Sequence, residues 1–307
     1  MSRDSAYTES KYRPEEWHER KTGRAFALTM ALVLIFALIY SFIFTDATAF
    51  MPGDNEIIVA FLDVGQGDSI LIWSRDHAVL IDGGDVNRYE PVLGYLRRVG
   101  ISRLDYVIAT HPHSDHIGGL IAVLNRMEVG RVLMPAAVHT TTVFENFVSV
   151  IENNHIPVTA PVPGENFRAG IIDFTVLAPV ANFAGSNLNN ASIVLRLDHG
   201  ETSFIFTGDA EAGSERSMLA TGGNLRADII KIGHHGSRTS TTAAFLDKVQ
   251  PLAAVISVGG GNQFGHPHSE VLERLVGRGI AVYRTDEMGT IVMATDGERI
   301  ILLPARD

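Results

Sequence analysis

Thr110-His111-Pro112-His113-Ser114-Asp115-His116-Ile117-Gly118-Gly119 follows the run Asp105-Tyr106-Val107-Ile108-Ala109 and leads into a helical pattern over 117–127. The run reads as a strand, because β-branched and aromatic residues dominate it. On an extended turn after it, His111 and His113 are two residues apart and point the same way. Asp115 and His116 open the next turn and face a neighbouring position. Neutral imidazoles suit one divalent ion, and imidazole with carboxylate suits a second beside it. A capped helix with Asp115 as N-cap and solvated histidines is the plainer alternative. H-x-H-x-D-H placed directly after a strand is too specific a pattern for it.

Working outward, the chain has twelve histidines, and seven of them fall in three clusters, each next to a predicted element boundary. Thr207-Gly208-Asp209 ends the strand Ser203-Phe204-Ile205-Phe206. A carboxylate at a strand's C-terminal end, after a glycine that lets backbone approach closely, suits a bridge between two ions. An ordinary turn aspartate is the competing reading. Lys231-Ile232-Gly233-His234-His235-Gly236-Ser237 follows another strand, and Gly265-His266-Pro267-His268-Ser269 precedes a helix with Ser269 as N-cap. His77, His139 and His155 stand alone and read as surface or core residues.

The 307 residues, 46% hydrophobic and 20% charged, have ordinary globular composition. Disordered, collagenous and heptad-rod classes are excluded. Absence of cysteine excludes disulfides, thiolate zinc sites, iron–sulfur clusters and lipidation. The net charge of −10 removes a global basic footprint for nucleic acid. Residues 1–49 are charge-balanced, so the acidity lies downstream.

Residues 25–44, AFALTMALVLIFALIYSFIF, carry no charge and are long enough as a helix to cross about 30 Å of hydrocarbon. Arg13, Arg20, Lys21 and Arg24 precede them; Asp46, Asp54 and Glu56 follow. The positive-inside rule then gives a cytoplasmic tail at 1–24, a single-pass signal anchor at 25–44, a linker at 45–54 and an extracytoplasmic domain from 55 to 307. Ala47-Thr48-Ala49 offers the alternative of a domain secreted after cleavage near Ala49.

In the domain, short β-branched runs alternate with helical patterns at about 90–99, 117–127, 143–152, 211–220, 241–249 and 269–277. Hairpins open it (57–81) and close it (289–303). The two halves share their element order, which predicts two mixed sheets packed face to face with helices outside. The proline-rich 157–164 reads as irregular.

Phe61-Leu62-Asp63-Val64-Gly65-Gln66-Gly67-Asp68-Ser69, Leu80-Ile81-Asp82-Gly83-Gly84, the H-x-H-x-D-H run, Thr207-Gly208-Asp209-Ala210-Glu211, the segment 231–237 and Gly265-His266-Pro267-His268 occur in that order. Together, over about residues 55–304, they resemble the metallo-β-lactamase fold. The D-V-G-Q-G-D and H-H-G-S pieces resemble the hydrolase domain of the ComEC family of DNA-internalisation proteins. The resemblance implies an α/β fold, the αβ/βα sandwich, with a metal centre at the sheet edge. It also implies two divalent ions, with a bridging water activated near neutral pH. The expected ligands are His111, His113, Asp115, His116, Asp209 and His268. His234 or His235 would protonate the leaving group, Asp115 would act at the reacting centre, and Asp82 would orient a ligand imidazole. Gly65, Gln66, Gly67 and Ser237 would meet a phosphate, although a tight hairpin turn explains the glycines equally. The implied activity is that of a phosphodiesterase or nuclease on DNA or another nucleotide diester. A lactone, lactam or ester hydrolase and a non-catalytic accessory of a DNA-uptake or envelope complex remain as alternatives.

Two departures matter. ComEC proteins carry a polytopic channel region, whereas this chain has one apolar span, so a separate DNA-transport protein becomes the expected partner. Many relatives of the fold also supply a third histidine to the first ion, where this chain has Asn187-Leu188-Asn189-Asn190-Ala191-Ser192. His199 is a poor substitute, because a hairpin turning there puts it about 17–20 Å from Asp209. Asn190 returns beside Asp209 and is the better oxygen candidate. An oxygen-richer site brings manganese level with zinc. Lys231, Arg238 and Arg284 lie near motif segments and are expected to focus attraction in the cleft.

Overall fold

Leu195 and Leu197 point into the core between the sheets, while Arg196 between them lies on the opposite face of its strand and pairs with Asp198 at 2.5 Å. This period-two alternation recurs across two sheets and builds the core between them. The structure is a computed structural model, and it describes residues 51–180 and 187–304.

The strands are β1 (Ile57–Phe61), β2 (Ile70–Trp73), β3 (Ala78–Ile81), β4 (Arg103–Ile108), β5 (Glu128–Leu133), β6 (Val158–Thr159), β7 (Asn166–Ala169), β8 (Ile172–Ala178), β9 (Val194–His199), β10 (Thr202–Phe206), β11 (Ile229–Lys231), β12 (Ala253–Ile256), β13 (Ala281–Arg284), β14 (Ile291–Thr295) and β15 (Ile300–Leu303). One sheet has eight strands in the order β15-β14-β1-β2-β3-β4-β5-β6, and the other has seven in the order β13-β12-β11-β10-β9-β8-β7. Each is antiparallel where hairpins join its strands and parallel where helices do, at β3-β4-β5-β6 and β10-β11-β12-β13. Val59, Phe61, Ile72 and Ile81 of the first sheet meet Phe174, Leu195, Phe204 and Phe206 of the second. Phe61 and Phe206 span the gap with ring centroids 6.2 Å apart. Truncating such a ring costs about 3–5 kcal/mol.

Helices α1 (Tyr89–Arg98), α2 (Ser114–Ile117), α3 (Leu120–Arg126) and α4 (Thr142–Asn153) accompany the first sheet. Helices α5 (Ala212–Thr221), α6 (Ala243–Val249) and α7 (Ser269–Val276) accompany the second. Met218, Phe245, Leu246, Val271 and Leu275 from these three pack on Ile205, Ile230, Ala254 and Ile256, so the second sheet is apolar on both faces. The sandwich thus has the two mixed sheets expected from the sequence.

Two differences are informative. The helix expected over 117–127 is interrupted at Gly118-Gly119, where Gly119 N donates to Gly84 O at 2.9 Å and its helical partner, Asp115 O, accepts from Asp68 N at 3.2 Å. Strands β5 and β7 were not anticipated, and the proline-rich 157–164 contains the short edge strand β6. Among the described residues no helix is long and apolar enough to cross a membrane. The expected anchor at 25–44 and the cleavage position at Ala49 lie outside the described residues.

The fold places chemistry at one edge. Asp82, the 110–116 turn, Asp209, His234-His235 and the 257–268 loop all follow the C-terminal ends of β3, β4, β10, β11 and β12. The crevice beyond those ends is where open α/β sheets bind ligands. Donation from Ile193 N to Thr110 O at 2.9 Å ties the two sheets together there.

Candidate metal centre

Asp115, His116, Asp209 and His235 each present one ligand atom, and these atoms all lie within 4.8 Å of one another. His116 Nε2 is 3.3 Å and His235 Nε2 3.5 Å from Asp209 Oδ2, and His235 Nε2 is 3.3 Å from Asp115 Oδ2. His111 Nε2 lies 3.8 Å from the same Oδ2 and 2.9 Å from His113 Nδ1. Asp209 therefore meets imidazoles from both the 110–116 turn and the second sheet. His116 Nε2, His235 Nε2 and Asp209 Oδ1 are buried and lack a hydrogen-bond partner. Unpartnered buried polar atoms are costly and rare. Two of them, His116 Nε2 and His235 Nε2, face Asp209 Oδ2 at 3.3 and 3.5 Å, and such a cluster fits a cation.

The surrounding residues fix this geometry. Asp82 is fully buried with φ of 56°, a backbone conformation costly for a non-glycine residue. Its carboxylate accepts from Thr110 N at 2.8 Å and Thr110 Oγ1 at 2.7 Å, and it holds His116 Nδ1 at 2.8 Å. His116 Nε2 is thereby left facing Asp209. His235 Nδ1 lies 2.9 Å from the Ser257 carbonyl, which assigns it the proton and leaves Nε2 free. His234 and His235 both adopt left-handed backbone, with φ of 48° and 52°. A Cβ at Gly233 would meet the Ala210 carbonyl at 2.7 Å, and one at Gly236 would meet Pro267 at 2.6 Å. The tight backbone of this loop aims two adjacent histidines in different directions.

Electrostatics follow from burial and charge. Burial strips His111 of its proton, helped by the nearby His116, so its pKa falls well below the usual value. For His116, burial acts the same way, but Asp209, Asp82 and Asp115 together outweigh it and raise its pKa well above normal. His235 is pushed up to about 10, with burial overcome by Asp209 and Asp68. Burial opposes the charge of Asp115 and Asp209, yet the neighbouring histidines hold both carboxyls below their usual range. The cluster draws positive charge, which protons supply until a metal replaces them.

Asp68 and Lys231 were not expected to support the centre. Both are buried and form an ion pair, and Asp68 Oδ1 lies 3.3 Å from His235 Nδ1. The loop 62–69 carries Asp68 over the 110–116 turn, with Asp68 N donating to Asp115 O at 3.2 Å. Gly67, with φ of 142°, has no space for a Cβ, which would lie 2.4 Å from Asp115 O. The D-V-G-Q-G-D glycines permit this contact.

A family model for the metallo-beta-lactamase superfamily matches residues 62–260. This chain belongs to the metallo-beta-lactamase superfamily. Among curated proteins it is 34% identical over 255 residues to "ComE operon protein 3" of Bacillus subtilis, covering 77% of this chain and 33% of that protein. It is 32% identical over 251 residues to "Recombination protein 2" of Haemophilus influenzae, covering 80% and 30%. Against "Competence protein ComA" of Neisseria gonorrhoeae the identity is 31%, covering 78% and 32%. These relatives bear out the ComEC resemblance, and this chain spans about a third of their length. Among solved structures, the metallo-beta-lactamase fold protein YhfI of Bacillus subtilis superposes with a TM-score of 0.52 at 15% identity, covering 78% of this chain and all of that one. CmlA, a diiron beta-hydroxylase from Streptomyces venezuelae, gives 0.53 at 16% identity, covering 82% and 55%. Both likenesses concern the fold. The sandwich and its His/Asp cluster are those of a metal-dependent hydrolase related to the competence proteins.

Within this metallo-beta-lactamase centre the expected residues separate. His111, His113, Asp115, His116 and Asp209 come together, with Asp82 behind them. His268 does not join them. Its Nδ1 accepts from Arg238 N at 3.2 Å and its ring leans on His266, so His235 fills the position expected of it. His235 is buried at the cluster, whereas His234 is partly exposed and is the better placed of the two to meet a leaving group. His234 Nδ1 lies 3.0 Å from Glu211 Oε1, with Nε2 3.8 Å from Asp209. Glu211 is held down at about 2, against partial burial, by its bonds with His234, Asn189 and Asn187.

Ser237 is turned inward and bonds Thr239 Oγ1 at 3.0 Å, so it closes its own loop and offers nothing to substrate. Gln66 accepts from Gly259 N at 3.2 Å, and Gly65 N donates to Asp63 Oδ1 at 3.0 Å. These contacts make 65–67 a bridge to the 257–268 loop. Asn190 Oδ1 accepts from Glu211 N at 3.2 Å and Ser214 N at 2.9 Å, which caps α5 and uses up the oxygen. Asn189 is the asparagine with a free, buried Oδ1, and its Nδ2 lies 3.4 Å from His234. His199 is remote, with Nε2 2.9 Å from the Asn55 carbonyl. Lys231 is consumed by Asp68, Arg284 by Asp286 and Glu287, and Arg238 by Glu270. Each of the three basic residues expected to focus attraction in the cleft thus has a carboxylate partner.

Proposed function

We propose that this chain is a membrane-anchored phosphodiesterase that cleaves nucleic acid or a nucleotide diester with two divalent ions, zinc or manganese. The observation that carries the reading is the convergence of buried His116 Nε2 and His235 Nε2, neither with a hydrogen-bond partner, on Asp209 Oδ2 beside Asp115 at the sheet edge. The competence and recombination names of its relatives supply the substrate class. His111, His113 and Asp209 would hold one ion, and Asp209, Asp115, His116 and His235 the other. When bound, the pair supplies an activated water and neutralises charge on the attacked phosphate. Asp82 and the Ser257 carbonyl keep the imidazoles turned so that their free nitrogens face inward. His234, oriented by Glu211, carries a proton at Nε2 to the leaving oxygen. Residues 25–44 anchor the chain, with 1–24 cytoplasmic and the catalytic domain outside, where it meets a DNA-transport protein supplied separately.

Purified full-length chain, loaded with zinc or manganese, is tested against single-stranded DNA, duplex DNA, a chromogenic phosphodiester and a lactam. Metal-dependent cleavage of the diesters supports the reading. Hydrolysis of the lactam alone moves it to ester or amide chemistry, and no turnover with no bound metal leaves an accessory protein. Protease added outside cells with a permeable envelope should digest the domain, whereas protection until lysis reverses the topology.

A further inference from the structure

Phe264 is 54% exposed, on the loop that runs from β12 to α7. Lone exposed apolar residues are ordinary. This one is held by its surroundings. Asn262 organises the loop through four bonds. Its Nδ2 donates to Gly259 O at 2.9 Å and His266 O at 2.6 Å, and its Oδ1 accepts from Phe264 N at 3.1 Å and His266 N at 3.0 Å. The base of the loop is fixed by Gly259 N on Gln66 Oε1, and a Cβ at Gly259 would strike Gln66 N at 2.6 Å. The loop therefore presents its aromatic ring in one place.

The ring also has a direction. Phe264 stacks on His266 with centroids 5.6 Å apart and planes 27° apart. His266 in turn faces His235 at 6.4 Å and 29°. Three rings, each tilted by less than 30° from the next, thus step from solvent to the metal cluster, with exposed Phe264 at the outer end.

Resting on the phosphodiesterase reading above, we propose that Phe264, backed by His266, is a shelf on which a nucleobase of single-stranded nucleic acid stacks beside the reacting phosphate. The chain is acidic, and Lys231, Arg238 and Arg284 are paired with carboxylates. Exposed Arg88, beside Gly65, is one of few cations there, so a basic surface supplies little of the affinity for a polyanion. Stacking provides it without sequence preference, since every base has a π-face. A duplex keeps its bases paired inside, so the shelf selects single strands.

The test uses the full-length, metal-loaded chain with oligothymidine and with an all-abasic tetrahydrofuran oligomer of equal length. The wild type should show a KM about five- to tenfold lower for oligothymidine. Phe264→Ala should bring the two KM values together, and Phe264→Trp should restore the difference. Cleavage with equal KM values in the wild type, or a ratio that survives Phe264→Ala, overturns the shelf and leaves the phosphodiesterase reading standing. Absence of both cleavage and metal-dependent binding with either oligomer overturns both.

Discussion

The two sheet edges build their shares of the centre in opposite ways. In the first sheet, four candidate ligands sit within the short turn 111–116 after β4, and one buried aspartate, Asp82, holds Thr110 at its start and orients His116. In the second, Asp209 and His235 come from separate strand ends, and the backbone around His235 is left-handed at two successive residues. Steric strain of that kind costs about 1–3 kcal/mol per residue and survives only where the surroundings over-determine it. The first edge is a motif; the second is an assembly that exists only in the folded protein. Asp209, which touches both, is the point where they become one site.

The largest effect should therefore come from Asp209→Asn. It removes a charge from both positions, so both ions should be lost together, by more than the roughly 100-fold weakening typical of an outer change. His235→Ala should release chiefly one ion, because the 111–113 pair does not touch it. Elemental analysis of the purified variants reads this directly. Loss of both ions from His235→Ala would mean that the halves bind cooperatively and not as two positions.

Lys231→Met tests how the second edge is held up. Removing one partner of a buried ion pair leaves Asp68 with only the neighbouring imidazoles, His235 above all, to balance it, which costs at most about 3–5 kcal/mol. Denaturant unfolding should show that loss, and Asp68→Asn in the same chain should recover part of it. If the single variant unfolds like the wild type, the pair is not what supports His235.

This contrast also explains what was legible beforehand. H-x-H-x-D-H could be read because its chemistry is local to one turn. Asp209 was readable from its place after Gly208 at a strand end. His235 and His268 could not be ranked, since only the left-handed loop turns His235 inward while His268 goes to Arg238 N. Asp68 passed as one residue of a glycine-rich turn, because its partner Lys231 lies in the opposite sheet. Lys231 itself looked like a phosphate contact. Strand β5, Glu128-Val129-Gly130-Arg131-Val132-Leu133, was hidden by a glycine and two charges. The glycine is needed there, because a Cβ at 130 would lie 2.7 Å from Asp105 O.

Asp82→Asn reaches the ligands of the first edge through its contact with His116 Nδ1, beside two bonds from Thr110. An amide can still accept, but its NH2 group can also face His116 Nδ1, which would turn the imidazole proton toward the metal position. Metal affinity should fall about 10–100-fold with both ions still bound at saturation. Titration calorimetry separates weaker affinity from lost stoichiometry, and a missing ion at saturation would make Asp82 a ligand.

The smallest effect should be that of His268→Ala. The imidazole accepts one bond from Arg238 N and leans on His266, at centroids 4.9 Å apart. The bond is near the surface, so water can replace it, and the cost should stay within about 0.5–1.5 kcal/mol of stability. The backbone bond from His268 N to Gly236 O at 3.0 Å does not involve the side chain and should keep the loop closed. Two ions per chain should remain, in contrast to His235→Ala. If His268→Ala loses an ion instead, the 257–268 loop must close further over the centre in the metal-bound protein. The second edge would then be completed by metal binding and not before it.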